Sequence, residues 1–213
     1  LTPKGFIRAN TVLGRAALVP EFELWLASEI TPIWQASEDW LAESNISPPF
    51  WAFAWPGSQM LARAMLDGVV AVQGRQVLDF AAGCGVAALA AARAGAADVE
   101  AAEIDALAVA AIGMNAKANG LVVRAGAGDV VGQDCRWDLI VCGDVCYEAP
   151  MARHILPWLR AMAAAGAEVL IADPGRAYVP ADGMTALARR EVPTTLELED
   201  RASRTVTLYR LDG

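Results

Sequence analysis

Val77-Leu78-Asp79-Phe80-Ala81-Ala82-Gly83-Cys84-Gly85 is the stretch that decides the fold. Residues 76–80 read as a buried strand, and the alanine-rich run after Gly85 has helical length, to about residue 94. Between them lies a turn of small residues. Strand, tight turn and helix together open an α/β unit, and small side chains in the turn let a ligand come close to the backbone.

Two ligand classes fit such a turn. In a dinucleotide fold, Gly83-x-Gly85-x-x-Ala88 would cradle a pyrophosphate at the helix N-terminus. In a methyltransferase, the turn would lie against the amino-acid part of S-adenosyl-L-methionine (SAM). Asp79 separates them. A buried strand rarely carries an unpaired carboxylate. Its charge is adverse beside a pyrophosphate and favourable beside the ammonium of SAM, met directly or through water. The residues therefore favour SAM, with S-adenosyl-L-homocysteine (SAH) as product. Two features stand against this: Asp79 could cap the loop instead, and Ala81 stands where many methyltransferases have the first glycine of a triad.

Outward from this unit the chain alternates. Strands are expected at 76–80, 98–104, 121–124, 137–142 and 168–172, and helices at 56–66, 106–119, 151–164 and 184–190. Segments 194–199 and 204–211 read as a closing antiparallel hairpin joined by Asp200-Arg201-Ala202-Ser203. Near-continuous apolar strands alternating with helices mean a doubly wound, mostly parallel sheet covered on both faces. A Rossmann-like sheet with a final hairpin is the class I SAM-methyltransferase arrangement. Residues 1–55, rich in Trp, Pro and Glu, read as an N-terminal appendage with a helix at 6–13 and a strand at 22–26. Residues 56–213 read as the SAM-binding domain.

Ligands bind at the carboxyl ends of such strands, and acids recur there. Glu103, at the tip of the second strand, can accept hydrogen bonds from both ribose hydroxyls, while Asp105 suits the N-cap of the next helix. Asp129 could take the adenine amino hydrogen with the Val130 amide facing the ring, or simply close a Gly-rich turn. Gly143-Asp144-Val145-Cys146-Tyr147 follows the fourth strand, where a parallel sheet presents its reaction centre. Methyl transfer is a direct displacement that needs the nucleophile aligned with its lone pair free. Asp144 could orient an incoming amine and Tyr147 could wall the pocket. Alternatively, Asp144 satisfies loop amides.

The chain has 213 residues, 55% of them hydrophobic, enough for one domain with a substantial core. Its net charge of −8 argues against nucleic acid as a partner and suits a basic protein or a cationic molecule. No apolar run reaches the roughly 18 residues of a membrane helix. Residues 1–15, charged and without an apolar block, are not expected to act as a secretory leader. Cys84, Cys135, Cys142 and Cys146 lack zinc spacing and the single His154 cannot complete a Cys/His site, so no metal is expected. Free thiols and a cytoplasmic location are expected.

Pro49-Phe50-Trp51-Ala52-Phe53-Ala54-Trp55-Pro56-Gly57, the segment 77–85, Trp137-Asp138-Leu139, Gly143-Asp144-Val145-Cys146-Tyr147 and Asp173-Pro174-Gly175-Arg176 resemble the seven-β-strand family 16 lysine methyltransferases. They are similar in particular to those acting on the β subunit of electron transfer flavoprotein. The resemblance runs from about residue 19 to the C-terminus. It implies protein-lysine methylation with that β subunit as the leading acceptor, Trp55 bordering the SAM pocket, and Asp144 between cofactor and target lysine. It leaves the aromatic segment 34–55 as either a partner-facing surface or a cover for the sheet. Other functions in view are methylation of a small amine such as a nicotinamide-like ring, methylation of a ribosomal-protein lysine, and a non-catalytic NAD(P)-binding module.

Overall fold

The computed structural model describes residues 2–28 and 48–213; Trp34 and Trp40 of the aromatic segment lie outside the described residues. The elements are α1 (Pro3–Asn10), β1 (Val12–Ala16), β2 (Val19–Leu26), α2 (Pro56–Leu66), β3 (Gln76–Phe80), α3 (Val86–Arg93), β4 (Asp98–Glu103) and α4 (Ala106–Ala118). They continue with β5 (Arg124–Ala127), β6 (Leu139–Gly143), α5 (Ala149–Ala164), β7 (Glu168–Asp173), β8 (Met184–Pro193), α6 (Leu196–Glu199) and β9 (Ser203–Leu211).

The main sheet has the order β5-β4-β3-β6-β7-β9-β8. β3 to β7 run parallel, β9 is antiparallel to β7, and β8 is antiparallel to β9. Alternate residues of each strand point to opposite faces. Val77, Leu139, Val141, Leu170 and Ala172 enter the cluster with α2, α3 and β2. Leu78, Phe80, Ile140, Cys142 and Ile171 enter the other, under Ile155, Trp158 and Leu159 of α5. The short α3 is apolar on nearly every side, as expected for a helix buried between its neighbours.

β1 and β2 form an antiparallel ribbon that docks on α4 through two asparagines one turn apart. Asn115 Oδ1 accepts from Trp25 N at 2.7 Å, and Asn119 Oδ1 accepts from Glu23 N at 3.0 Å. The Asn115 amide also donates to Cys84 O at 2.9 Å, so one buried side chain ties the ribbon to the glycine turn.

Three expectations from sequence are corrected. The apolar run at 121–124 suggests a strand, but pairing with β4 begins only at Arg124 and continues through Ala125-Gly126-Ala127. There, tertiary pairing overrides weak strand propensity. Residues 184–190 form strand β8 rather than a helix. A bulge between Ala186 and Ala188 breaks the two-residue alternation that would have marked it. Residues 194–199 contain the short helix α6, so the hairpin partner of β9 is β8.

Candidate active site

The sheet order reverses around β3 and β6, and a cleft opens beyond their carboxyl ends, where a parallel sheet binds ligands. It has two lobes of about 440 Å³ and 370 Å³ that share Ala81, Glu103, Ile104, Tyr147, Glu148 and Met151 as lining residues. Each is large enough for part of a nucleoside-sized molecule.

The turn after β3 forms the floor of the larger lobe. Ala81 (φ 52°), Gly83 (φ 55°) and Gly85 (φ 77°) are all left-handed, so Ala81 takes the conformation that favours glycine. A Cβ placed on Gly83 would meet nothing within 4 Å, which leaves the backbone open to the lobe it lines. Gly85 is different. It caps α3, lies outside the lining, and a Cβ there would press on the Ile112 side chain at 3.0 Å. It serves helix packing rather than ligand contact.

Asp79 sits deeper than the turn it precedes. Its carboxylate is buried beneath the floor and does not line either lobe. Oδ2 accepts from Ala88 N in the first turn of α3 at 2.8 Å. The side chain ties β3 to α3, and of the two contacts with the SAM ammonium expected from the sequence, direct or through water, this buried position suits the one through water. Burial raises its pKa to about 7, against the opposing Ala88 bond and with a further push from Glu103.

Glu103 lies where the second-strand acid is expected, at the seam of the two lobes. Oε1 accepts from Gly83 N at 2.7 Å and Oε2 from Ile104 N at 3.1 Å, which uses two of about four acceptor positions on a carboxylate. Burial raises its pKa. Ile104, absent from the sequence-derived set, is 78% exposed and lines both lobes, an apolar plate beside the acid. Asp105 caps α4 through Leu107 N at 2.8 Å. Asp129 and the buried Val130 line the smaller lobe. Asp129 also closes its own turn by accepting from Val131 N at 2.9 Å, and it meets His154 Nε2 at 2.6 Å.

Asp144 stands on the wall of the larger lobe in a left-handed conformation (φ 57°). The N-terminus of α2 makes this position. Pro56 starts the helix, where its missing N–H costs nothing, and Gly57 N donates to Asp144 Oδ2 at 2.5 Å. A Cβ on Gly57 would lie 2.6 Å from that oxygen, and one on Gly143 would lie 2.6 Å from Ser58 N. These two glycines therefore permit the approach of α2 to the tip of β6. Arg176 donates to Asp144 Oδ1 through Nη2 at 2.8 Å and Nε at 3.2 Å. Burial raises the Asp144 pKa to about 6, with Arg176 opposing the rise.

Aromatic rings enclose the same lobe. Tyr147, its phenol pKa raised by burial, meets Phe50 edge-on at 5.5 Å. Trp55 meets Phe50 and Phe53 edge-on at 5.9 and 6.0 Å, and its indole donates to Phe50 O at 2.8 Å. Tyr147 and Trp55 thus fall in the lobe with Asp144, Gly83 and Glu103. Arg176 and Glu199 were missed as site residues. The sequence singles out only the segment Asp173-Pro174-Gly175-Arg176, and Glu199 lies in the stretch 194–199, whose pattern suggests a strand.

Comparison with known proteins gives the same picture. Residues 53–143 match the methyltransferase small domain family. The chain is 38% identical over 179 residues to the electron transfer flavoprotein beta subunit lysine methyltransferase of Xenopus laevis, covering 82% of this chain and 71% of that one. It is 36% identical over 187 residues to the protein of that name from Rattus norvegicus, covering 83% and 69%. Among solved structures, the magnesium protoporphyrin IX methyltransferase of Synechocystis with bound SAM superposes with a TM-score of 0.55 at 16% identity. That match covers 85% of this chain and 97% of the other, and it shows the shared class I fold. With its seven-stranded sheet, its cleft at the strand tips and this level of identity over most of its length, the chain belongs to the family of electron transfer flavoprotein β subunit lysine methyltransferases.

Proposed function

We propose that this chain transfers a methyl group from SAM to lysine side chains of a folded protein, with the β subunit of electron transfer flavoprotein as acceptor. The observation that carries the reading is the Asp144 carboxylate. It is fixed by Gly57 and Arg176 on the wall of the lobe that the glycine turn floors. Three of its roughly four acceptor positions are filled, which leaves about one for an amine hydrogen.

The residues present fit the cofactor. Glu103 retains two acceptor positions for the ribose hydroxyls. Asp129 and Val130 border a lobe for adenine, and the open face of Gly83 admits the amino-acid tail, with Trp55 as a wall. When bound, the sulfonium supplies the methyl group for direct displacement. A lysine amine has an unperturbed pKa near 10.4 and must release its proton to solvent before it attacks. Glu103, Asp105, Asp144 and Glu148 line the lobe against the single arginine Arg176, a field that draws in the cationic side chain. Asp144 then accepts an amine hydrogen and turns the lone pair toward the methyl group, while Phe50 and Tyr147 wall the approach. Four free cysteines fit a reducing, cytoplasmic setting.

The test is to incubate pure protein with labelled SAM and recombinant flavoprotein β subunit, then map added methyl groups by mass spectrometry. Added mass on lysine is expected; none on any lysine rejects the acceptor. A second reading, methylation of a small nicotinamide-like amine, draws on Phe50, Phe53 and Trp55, whose rings line the same lobe. Turnover of small amines without a protein acceptor would favour it.

A further inference from the structure

Arg176 does more than fill a gap beside Asp144. Its guanidinium spans two carboxylates: it donates to Asp144 Oδ1 on one side and to Glu199 on the other, through Nη2 to Oε1 at 2.5 Å and Nη1 to Oε2 at 3.2 Å. Glu199 has a side chain only 1% exposed, and Arg204 Nε holds its Oε2 at 2.9 Å from the far side. Asp173 Oδ1 accepts from the Arg176 backbone N–H at 2.6 Å and fixes the loop that carries it. The Asp173 Oδ2 oxygen is buried with no partner among the described residues. The cluster thus sets three carboxylates against two guanidinium groups, a chain of charges running from the C-terminal segment to the wall of the larger lobe.

We propose that Arg176 is a positioning residue of the transfer site: anchored by Glu199, it holds the Asp144 carboxylate charged and oriented to accept the incoming lysine amine. This rests on the lysine-transfer reading above. Two guanidinium N–H groups converge on Asp144 Oδ1 while Nη1 and Nη2 grip both oxygens of Glu199, a set of contacts that a single ammonium cannot reproduce. The charged and titratable groups facing Asp144 are Arg176, Asp173 at the tip of β7 and Cys146 on its own loop, and the α2 amide of Gly57 meets it from the other side. Among the described residues that face Asp144, Arg176 is the single cation. Without it, burial and Asp173 both favour the protonated acid, which has lost the charge that receives the amine.

The test uses the full chain. The Asp144 carboxyl is titrated by NMR in wild type, Arg176→Met and Arg176→Lys, without substrate. In Arg176→Met the midpoint should move up by about one pH unit or more, a tenfold gain in proton affinity; Arg176→Lys should recover more than half of that shift. In turnover, Arg176→Met should lower kcat by about tenfold or more at pH 7 while SAH affinity stays within about threefold. In Asp144→Asn/Arg176→Met the loss should be no larger than in Asp144→Asn alone, as expected of two residues acting as one unit. An Asp144 midpoint that does not move, or losses that multiply in the double variant, would overturn the proposal. A wild-type protein that shows the Arg176-dependent titration yet methylates no protein lysine would instead refute the acceptor reading and leave the Arg176–Asp144 pairing supported.

Discussion

Replacing Glu103 by alanine should weaken SAM and SAH binding before it affects anything else. Each Glu103 oxygen accepts one backbone amide, from Gly83 or Ile104, and two acceptor positions remain for a pair of ribose hydroxyls. A hydrogen bond to a charged group contributes about 1.5–3 kcal/mol. Two lost bonds, partly replaced by water in an open cleft, come to about 2–4 kcal/mol, or about 30- to 1,000-fold in Kd. Glu103→Gln should fall between, since its amide nitrogen must face either a backbone donor or a ribose hydroxyl. Calorimetry with SAM and SAH at 25 °C reads the effect, and thermal unfolding shows that the variants are folded. Because burial raises the Glu103 pKa, the wild-type affinity should also fall with acidity beginning above the ordinary carboxylate value of 4.5. A folded Glu103→Ala protein that binds SAH within about threefold of wild type would refute the placement of the ribose.

Other outcomes can be checked independently. Productive transfer needs a deprotonated lysine and an ionised Asp144, whose pKa is about 6. The slope of log kcat/KM against pH should therefore steepen from about 1 to about 2 below that value, and in Asp144→Asn the steeper limb should vanish. Asp79 has a folded pKa of about 7 against 3.8 in the unfolded chain, so the folded state holds its proton more tightly. Its effect is nil below pH 3.8, and stability is lost as pH rises toward 7. The melting temperature of ligand-free Asp79→Asn, relative to wild type, should therefore climb across that window. Asn115→Ala leaves Trp25 N and Cys84 O without their partner and should cost about 2–4 kcal/mol in denaturant unfolding.

Much of the site was legible because class I sheets place acids at strand tips, and Glu103, Asp144 and the glycine turn sit at known distances from apolar runs. Residues 76–80 read as a buried strand and 98–104 as the next; β4 ends one residue sooner, at Glu103, and leaves Ile104 exposed. Asp79 left two readings open because a buried acid near a ligand turn can serve either a ligand or a helix amide, and sequence does not say which way the side chain points. Gly85 did the same, since Ile112, 27 positions along the chain, decides its role. The Arg176–Glu199–Arg204 chain was invisible because it joins a loop after β7 to a short helix and to β9. Such pairing is set by three-dimensional approach rather than by any spacing. β8 escaped because an edge strand with a bulge, its face mostly exposed, has no period of two left to read.

A crystal of the full chain grown with SAH tests the cofactor placement most directly. Density is expected with the ribose on Glu103, the adenine in the lobe beside Val130, and the sulfur turned toward Asp144. A Glu103 carboxylate without ligand contact, or only a phosphate seated at residues 83–85, would contradict it.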